Sequence, residues 1–265
     1  MARPSKKPYV RFAEVYDQIM SDVPYSRWAD YIMTLWGEYD FHPKTVLDLA
    51  CGTGNLTAIL ASFGYQVTGL DASSNMLAVA KSKMKARRLY ADFVRKDMRS
   101  FSIDPPVDAA VCVFDSLNYL LEPIDLQMAY KSVSASIEQG GLFIFDVNTR
   151  SRLASIANEV SLMQGDDHFV IWADSYDAGK QWWKVQLTGF IKQGDVWARF
   201  DEVHKERAFP IEDHKAWLKD AGFKVLAVYE SCTFHPATEA SSRVYFVAEK
   251  KEQGGSPQDE QPTLE

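Results

Sequence analysis

The chain has 265 residues, 46% hydrophobic and 25% charged, the balance of a soluble globular protein rather than a disordered or fibrous one. A formal net charge of −7 argues against a broad cationic grip on nucleic acid, so nucleic acid is not favoured as a partner, though it is not excluded. Three dispersed cysteines, Cys51, Cys112 and Cys232, lack metal or disulfide spacing and suit a reducing compartment. No window approaches the roughly 18 apolar residues of a membrane span, and the charges at Arg11, Glu14 and Asp17 break any export signal after the basic start. A cytoplasmic protein with no membrane partner is therefore expected; nothing here speaks to oligomeric state.

In chain order, apolar residues at three- and four-residue spacing (Phe12, Val15, Tyr16, Ile19, then Trp28, Tyr31, Ile32, Leu35) predict two helices broken at Val23-Pro24, an N-terminal helical cap over 1–43. From Thr45 short apolar runs alternate with amphipathic stretches, predicting strands over 45–49, 66–70, 93–96, 109–114 and 142–147, with helices between them. Ser73, before Met76, Leu77 and Ala80, reads as an N-cap. A helix is then expected to run to about Leu162. The aromatic, β-branched stretch 169–209 follows, with turns at Asp177-Ala178-Gly179 and Gln193-Gly194-Asp195. Pro210 opens a helix that Gly222 closes, and strands over 224–231 and 243–249 complete the sheet.

The expected fold is thus α/β: a Rossmann-like, mostly parallel seven-stranded sheet with helices on both faces. Residues 44–150 and 210–249 form its core, and 151–209 form a helix plus an antiparallel β insertion, a candidate substrate lid. The last segment, 250–265, has no apolar periodicity and is expected to be a disordered tail.

The run Val46-Leu47-Asp48-Leu49-Ala50-Cys51-Gly52-Thr53-Gly54-Asn55 carries the chemistry. It is a buried strand, then small residues and two glycines, then a helix start, where backbone N–H groups can face a ligand. A dinucleotide fingerprint would require a third glycine where Thr57 stands, which disfavours a pyrophosphate site and hence an NAD-dependent oxidoreductase. Asp71, ending the second strand, is placed where a carboxylate can accept both hydroxyls of a ribose.

These segments, LDLACGTGN, VTGLDAS, VRKDMR and VFDSLNYL, resemble in order and spacing the serial motifs of class I S-adenosylmethionine-dependent methyltransferases of the small-molecule type. The resemblance implies S-adenosyl-L-methionine as cofactor and S-adenosyl-L-homocysteine as product. It implies that Asp48, Ala50, Cys51, Gly52 and Gly54 surround the methionine part, that Asp71 binds the ribose, and that Ala72 and Met76 flank the adenine. It further implies that Asp97, with the Met98 backbone, meets the adenine amino group, and that Phe114 and Asp115 lie beside the reacting methyl. Ala50 departs from the pattern, since many relatives have glycine there. The stretch Phe12 to Asp17 resembles a helix that closes over the cofactor in such enzymes, making Tyr16, Tyr25 and Trp28 candidates for contact; packing of the cap against the sheet is the alternative for these aromatics.

In the insertion, strand alternation puts Phe200, Glu202, His204 and Glu206 on one face. Such a run ordinarily forms an exposed charged face, but His204 and Glu202 near an acceptor could remove its proton and are the candidate catalytic residues. His42, His168, His214 and His235 show no ligand spacing, so no metal is expected. The acceptor is expected to be a small molecule. RNA or protein methylation and a non-catalytic cofactor-binding module stand as alternatives.

Overall fold

The computed structural model describes residues 8–156 and 158–251; the greater part of the segment expected to be a tail, 252–265, lies outside them. A seven-stranded sheet carries β1 (Thr45–Leu49), β2 (Gln66–Asp71), β3 (Asp92–Arg95), β4 (Val107–Cys112), β5 (Ile137–Asn148), β10 (Phe223–Glu230) and β11 (Arg243–Lys250) in the order β10-β11-β5-β4-β1-β2-β3. The five strands β1 to β5 are parallel, and β11 is antiparallel to both β5 and β10. The strand order reverses between β1 and β4, and in open α/β sheets ligands bind at such a switch point, beyond the carboxyl ends of the strands.

Successive residues of the buried strands feed opposite layers. On one face Val46, Val67, Ala109 and Val111 pack against α2 (Tyr25–Glu38) and α3 (Asn55–Ser62) through Trp28, Ile32, Leu35, Leu56 and Leu60. On the other, Leu47, Leu49, Ala110 and Cys112 meet α5 (Pro123–Ser136) and α7 (Ile211–Asp220) through Leu126, Tyr130, Val133 and Leu218. Burial on both faces explains why the parallel strands read as continuous apolar runs. Ser73 caps α4 (Ser74–Arg87), accepting from Met76 N at 3.3 Å.

A second sheet, β6 (Val160–Gln164), β7 (His168–Asp177), β8 (Trp182–Gln193) and β9 (Val196–Arg207), is antiparallel throughout. Gly194-Asp195 forms the two-residue turn between β8 and β9, with Gly194 at φ +61°. The helix expected to reach Leu162 instead ends early: α6 (Arg150–Ser155) stops, Asn158 turns at φ +67°, and Val160–Gln164 joins the sheet edge as β6. The apolar residues Val160 and Leu162 alternate with Ser161, which suits a strand as well as a helix, and pairing with β7 decides the matter. Strand β5 begins at Ile137 rather than 142, its pairing to β4 interrupted beside Gly140-Gly141 before it resumes at Ala109↔Leu142.

The N-terminal segment divides between the two sheets. Helix α2 lies on the parallel sheet, whereas Phe12, Ala13, Val15 and Tyr16, spanning a short 3-10 turn and α1 (Tyr16–Ile19), pack with Val170, Trp183, Val185, Leu187 and Phe200 of the second sheet. Residues 9–16 thus form a strap across the mouth of the switch point. No helix of the described residues is long and apolar enough to cross a membrane.

Candidate active site

A cavity of about 1270 Å³ opens over the carboxyl ends of β1, β2 and β4 and continues beneath the strap to the inner face of the second sheet. Its near wall is the turn after β1. Asp48, 2% exposed, accepts from Thr57 Oγ1 at 2.5 Å, and burial pushes its carboxyl up to about 7. Ala50, Gly52 and Gly54 all take left-handed backbone, at φ +58°, +55° and +74°. For Ala50 that conformation costs roughly 1–2 kcal/mol, which explains why glycine suits this position. Asp71 closes the turn: Gly52 N donates to it at 2.9 Å and Ser73 N at 2.7 Å, while burial raises its carboxyl against these donors.

Of the positions singled out in the sequence, Asp48, Ala50, Cys51, Gly52, Asp71, Ala72, Met76, Asp97, Met98, Phe114, Asp115, Tyr16 and His204 line this one cavity. Three do not. Gly54 faces α4, where an added Cβ would stand 3.0 Å from Ala80 Cβ, so its role is close packing of α3 and α4. Trp28 lies behind the wall, its ring 5.2 Å from Phe114 and 5.4 Å from Tyr25, so packing of the cap against the sheet accounts for it. Glu202 points away from the cavity and into the strap.

Glu202 is 1% exposed and accepts from four successive backbone N–H groups: Tyr9 at 2.7 Å, Val10 at 3.0 Å, Arg11 at 2.8 Å and Phe12 at 3.0 Å. Burial works against the anion, but the His204 imidazole and the N–H groups of Phe12 and Arg11 outweigh it and hold Glu202 below the usual carboxylate range. The face expected to be exposed is therefore buried: Phe200, Glu202, His204 and Glu206 all point inward because the strap covers them. Elsewhere the strap is tied by Ser73 Oγ donating to Tyr9 O at 2.9 Å. At its far end Asp17 accepts from Thr53 Oγ1 at 2.7 Å and pairs with Lys83 at 2.8 Å.

Asp97 forms a two-pronged pair with Arg99, at 2.9 and 2.7 Å, and this partner holds its carboxyl below the ordinary range. Tyr16 and Tyr25 hydroxyls stand 3.4 Å apart on the strap side. Beyond β4, Phe114 and Asp115 are successive left-handed residues at φ +62° and +51°. Asp146 accepts from both their N–H groups, at 3.2 and 2.6 Å. Arg243 bridges the two carboxylates, reaching Asp115 at 2.5 Å and Asp146 at 2.9 Å. Glu206 completes this cluster: burial and the neighbouring Asp115 carboxyl raise it well above its ordinary value.

Sequence reasoning did not single out Tyr9, Tyr119, Asp146 or Arg243. Tyr119 stood within VFDSLNYL, and Glu206 was on the inward face; Tyr9 and Arg243 lie at opposite ends of the chain with no local motif to mark them.

A Rossmann-like sheet with a deep cavity at its switch point defines the class, and comparison with known proteins narrows it. The methyltransferase-domain family matches residues 46–141. Two relatives, each named “Putative methyltransferase”, match 91% of this chain. That of Geobacillus sp. (strain WCH70) is 32% identical with 99% of its length covered, and that of Bacillus subtilis (strain 168), YqeM, is 34% identical with 97% covered. The crystal structure of an S-adenosylmethionine-dependent methyltransferase from Clostridium acetobutylicum ATCC 824 superposes with a TM-score of 0.80 at 29% identity, over 92% of this chain and 99% of that one. The chain belongs to the class I S-adenosylmethionine-dependent methyltransferases.

Proposed function

We propose that this protein transfers the methyl group of S-adenosylmethionine to a small-molecule acceptor enclosed between the glycine turn and the second sheet. The observation that carries this reading is the continuity of the cavity, which runs from Asp71 to His204 and Glu206 in one volume of about 1270 Å³. Drug-sized ligand pockets span roughly 300–1,000 Å³, so cofactor and a small acceptor fit together. Strap and second sheet roof the site, which suits a compact acceptor better than a polymer.

The residues fit the cofactor. A Cβ built on Gly52 meets nothing within 4 Å, leaving open space where backbone must face a ligand. Asp71 is half-buried at the strand end, with lone pairs beyond its two backbone donors to accept ribose hydroxyls. Asp48 would hold the methionine portion, Ala72 and Met76 the adenine, and Asp97 and Met98 its amino edge, all of them lining the cavity. The bound cofactor supplies a methyl group on a sulfonium, an activated leaving group. The protein therefore has to align the acceptor, exclude water and receive a proton.

Calorimetric titration with S-adenosylmethionine tests the assignment. The wild type binds, and Asp71→Ala binds roughly ten- to a hundredfold more weakly, the equivalent of about 1.5–3 kcal/mol for a charge-assisted pair. Absence of heat with the wild type would sink the reading, and equal affinity in the variant would remove Asp71 from the ribose.

A further inference from the structure

We propose that Tyr9, Tyr119 and His204 form a relay that takes up the proton an acceptor loses on methylation, with Glu202 as the residue that positions His204. The inference rests on the methyl-transfer reading and adds to it the path of the proton.

The chain of contacts is continuous. Tyr9 and Tyr119 hydroxyl oxygens are 2.6 Å apart, and the Tyr119 hydroxyl lies 3.0 Å from His204 Nδ1. His204 Nε2 lies 3.4 Å from Glu202 Oε2, within ion-pair range but not closed into a hydrogen bond, and Nε2 has no other partner among the described residues. The two phenols and the imidazole line the cavity, while Glu202 sits behind them. The Tyr9 ring stands edge-on to the imidazole at 4.8 Å, and the Phe12 ring flanks it at 6.0 Å, so the imidazole has little freedom to turn.

Polarity gives the chain a direction. A carboxylate facing Nε2 favours the tautomer with hydrogen on that nitrogen, which leaves Nδ1 bare to accept from Tyr119. Burial raises both phenols well above their ordinary range, so neither can hold a negative charge near neutral pH. They act as conduits, and the imidazole is the terminal base. As the new bond from the acceptor atom to carbon forms and the cofactor's S–CH3 bond breaks, the acceptor's proton passes to a phenol oxygen. The hydroxyl hydrogens shift one place along, and the last arrives at Nδ1. The product is an imidazolium facing the Glu202 carboxylate; nothing is oxidised or reduced.

The same carboxylate holds the strap. Glu202 accepts all four N–H groups of Tyr9 to Phe12, so the segment that brings Tyr9 into the relay and the anion that orients His204 are joined at one side chain. Among the described residues, the ionisable groups around the relay are Glu202 and Glu206 on β9, Tyr16 on α1, and Asp115 after β4, itself paired with Arg243. Glu206 is raised well above its ordinary value, chiefly by burial.

Imidazole ¹⁵N spectroscopy of the full chain tests the geometry without any acceptor, with the His204 signals assigned by their loss in His204→Asn. The expected result is a neutral tautomer protonated at Nε2. Glu202→Gln should shift the His204 tautomer balance away from Nε2, and Tyr119→Phe should move the Nδ1 resonance. A tautomer protonated at Nδ1, or a tautomer balance indifferent to Glu202→Gln, overturns the proposal.

Transfer of label from methyl-labelled S-adenosylmethionine into a small-molecule cell extract tests the chemistry. Tyr119→Phe and Tyr9→Phe should each lower the rate at least tenfold with cofactor affinity unchanged, and Glu202→Gln should displace the pH profile. A Tyr119→Phe variant with the wild-type rate and profile overturns the relay. Failure of the wild type to bind the cofactor by calorimetry strikes the methyl-transfer reading instead, and the imidazole spectrum then still decides the geometry.

Discussion

At the glycine turn, Asp71 gathers its backbone donors from 2 and 19 residues away, within β1, β2 and the turns that follow them. On the opposite wall Glu202 takes donors 190 to 193 residues away, His204 meets Tyr119 across 85, and Arg243 reaches Asp115 across 128. One wall is backbone folded on itself; the other is side chains converging from distant segments. The first depends on local conformation, the second on the whole chain closing, and substitutions should separate the two.

The largest effect is expected on the distant wall. Arg243→Met leaves the carboxylates of Asp115 and Asp146 buried without their cation, at a cost of about 3–5 kcal/mol. A guanidinium midpoint lowered at unchanged slope would show it. A change below about 1 kcal/mol would mean that this wall is held by packing rather than by charge.

The local wall should announce itself through pH. Burial raises Asp48 to about 7, so the folded protein binds more protons at this site than the unfolded chain. Its contribution to stability is complete below about pH 4 and falls as pH rises through about 7, with a slope of up to about 1.4 kcal/mol per pH unit. Asp48→Asn should flatten the stability profile of the cofactor-free protein in that window; parallel profiles would show that Asp48 is not the buried acid responsible.

The smallest effect is the most local. Ala50→Gly relieves a left-handed alanine at φ +58° and gives back part of the gain as backbone entropy. The net gain should be about 0.5–1 kcal/mol, a rise in Tm of roughly 1–4 °C by calorimetry. A fall would show that the Ala50 methyl, packed on the core beside β1, contributes more than its backbone costs.

What the sequence made legible follows the same division. The strands of the parallel sheet, the turn to Gly52, Asp71 and the cap at Ser73 are all written in contiguous residues, because periodicity and strand-to-helix turns are short-range properties. The inward face of β9 was visible as an alternation, but its burial was not, since its cover is a strap nearly 200 residues away in sequence. Glu202 looked like a partner for an acceptor, and only the strap's N–H groups show where it faces. Val160–Gln164 failed for a related reason: a short apolar run satisfies either period, and the neighbouring strand decides.

Arg243 lies on the last strand, and that position carries a consequence for how the molecule is made. While the ribosome is still adding residues beyond β5, the nascent chain already contains the whole glycine turn together with Asp115 and Asp146. The cation that neutralises those two carboxylates is added almost a hundred residues after Asp146. An emerging chain can therefore shape the cofactor turn early, but the chamber opposite is completed only after β11 has been added.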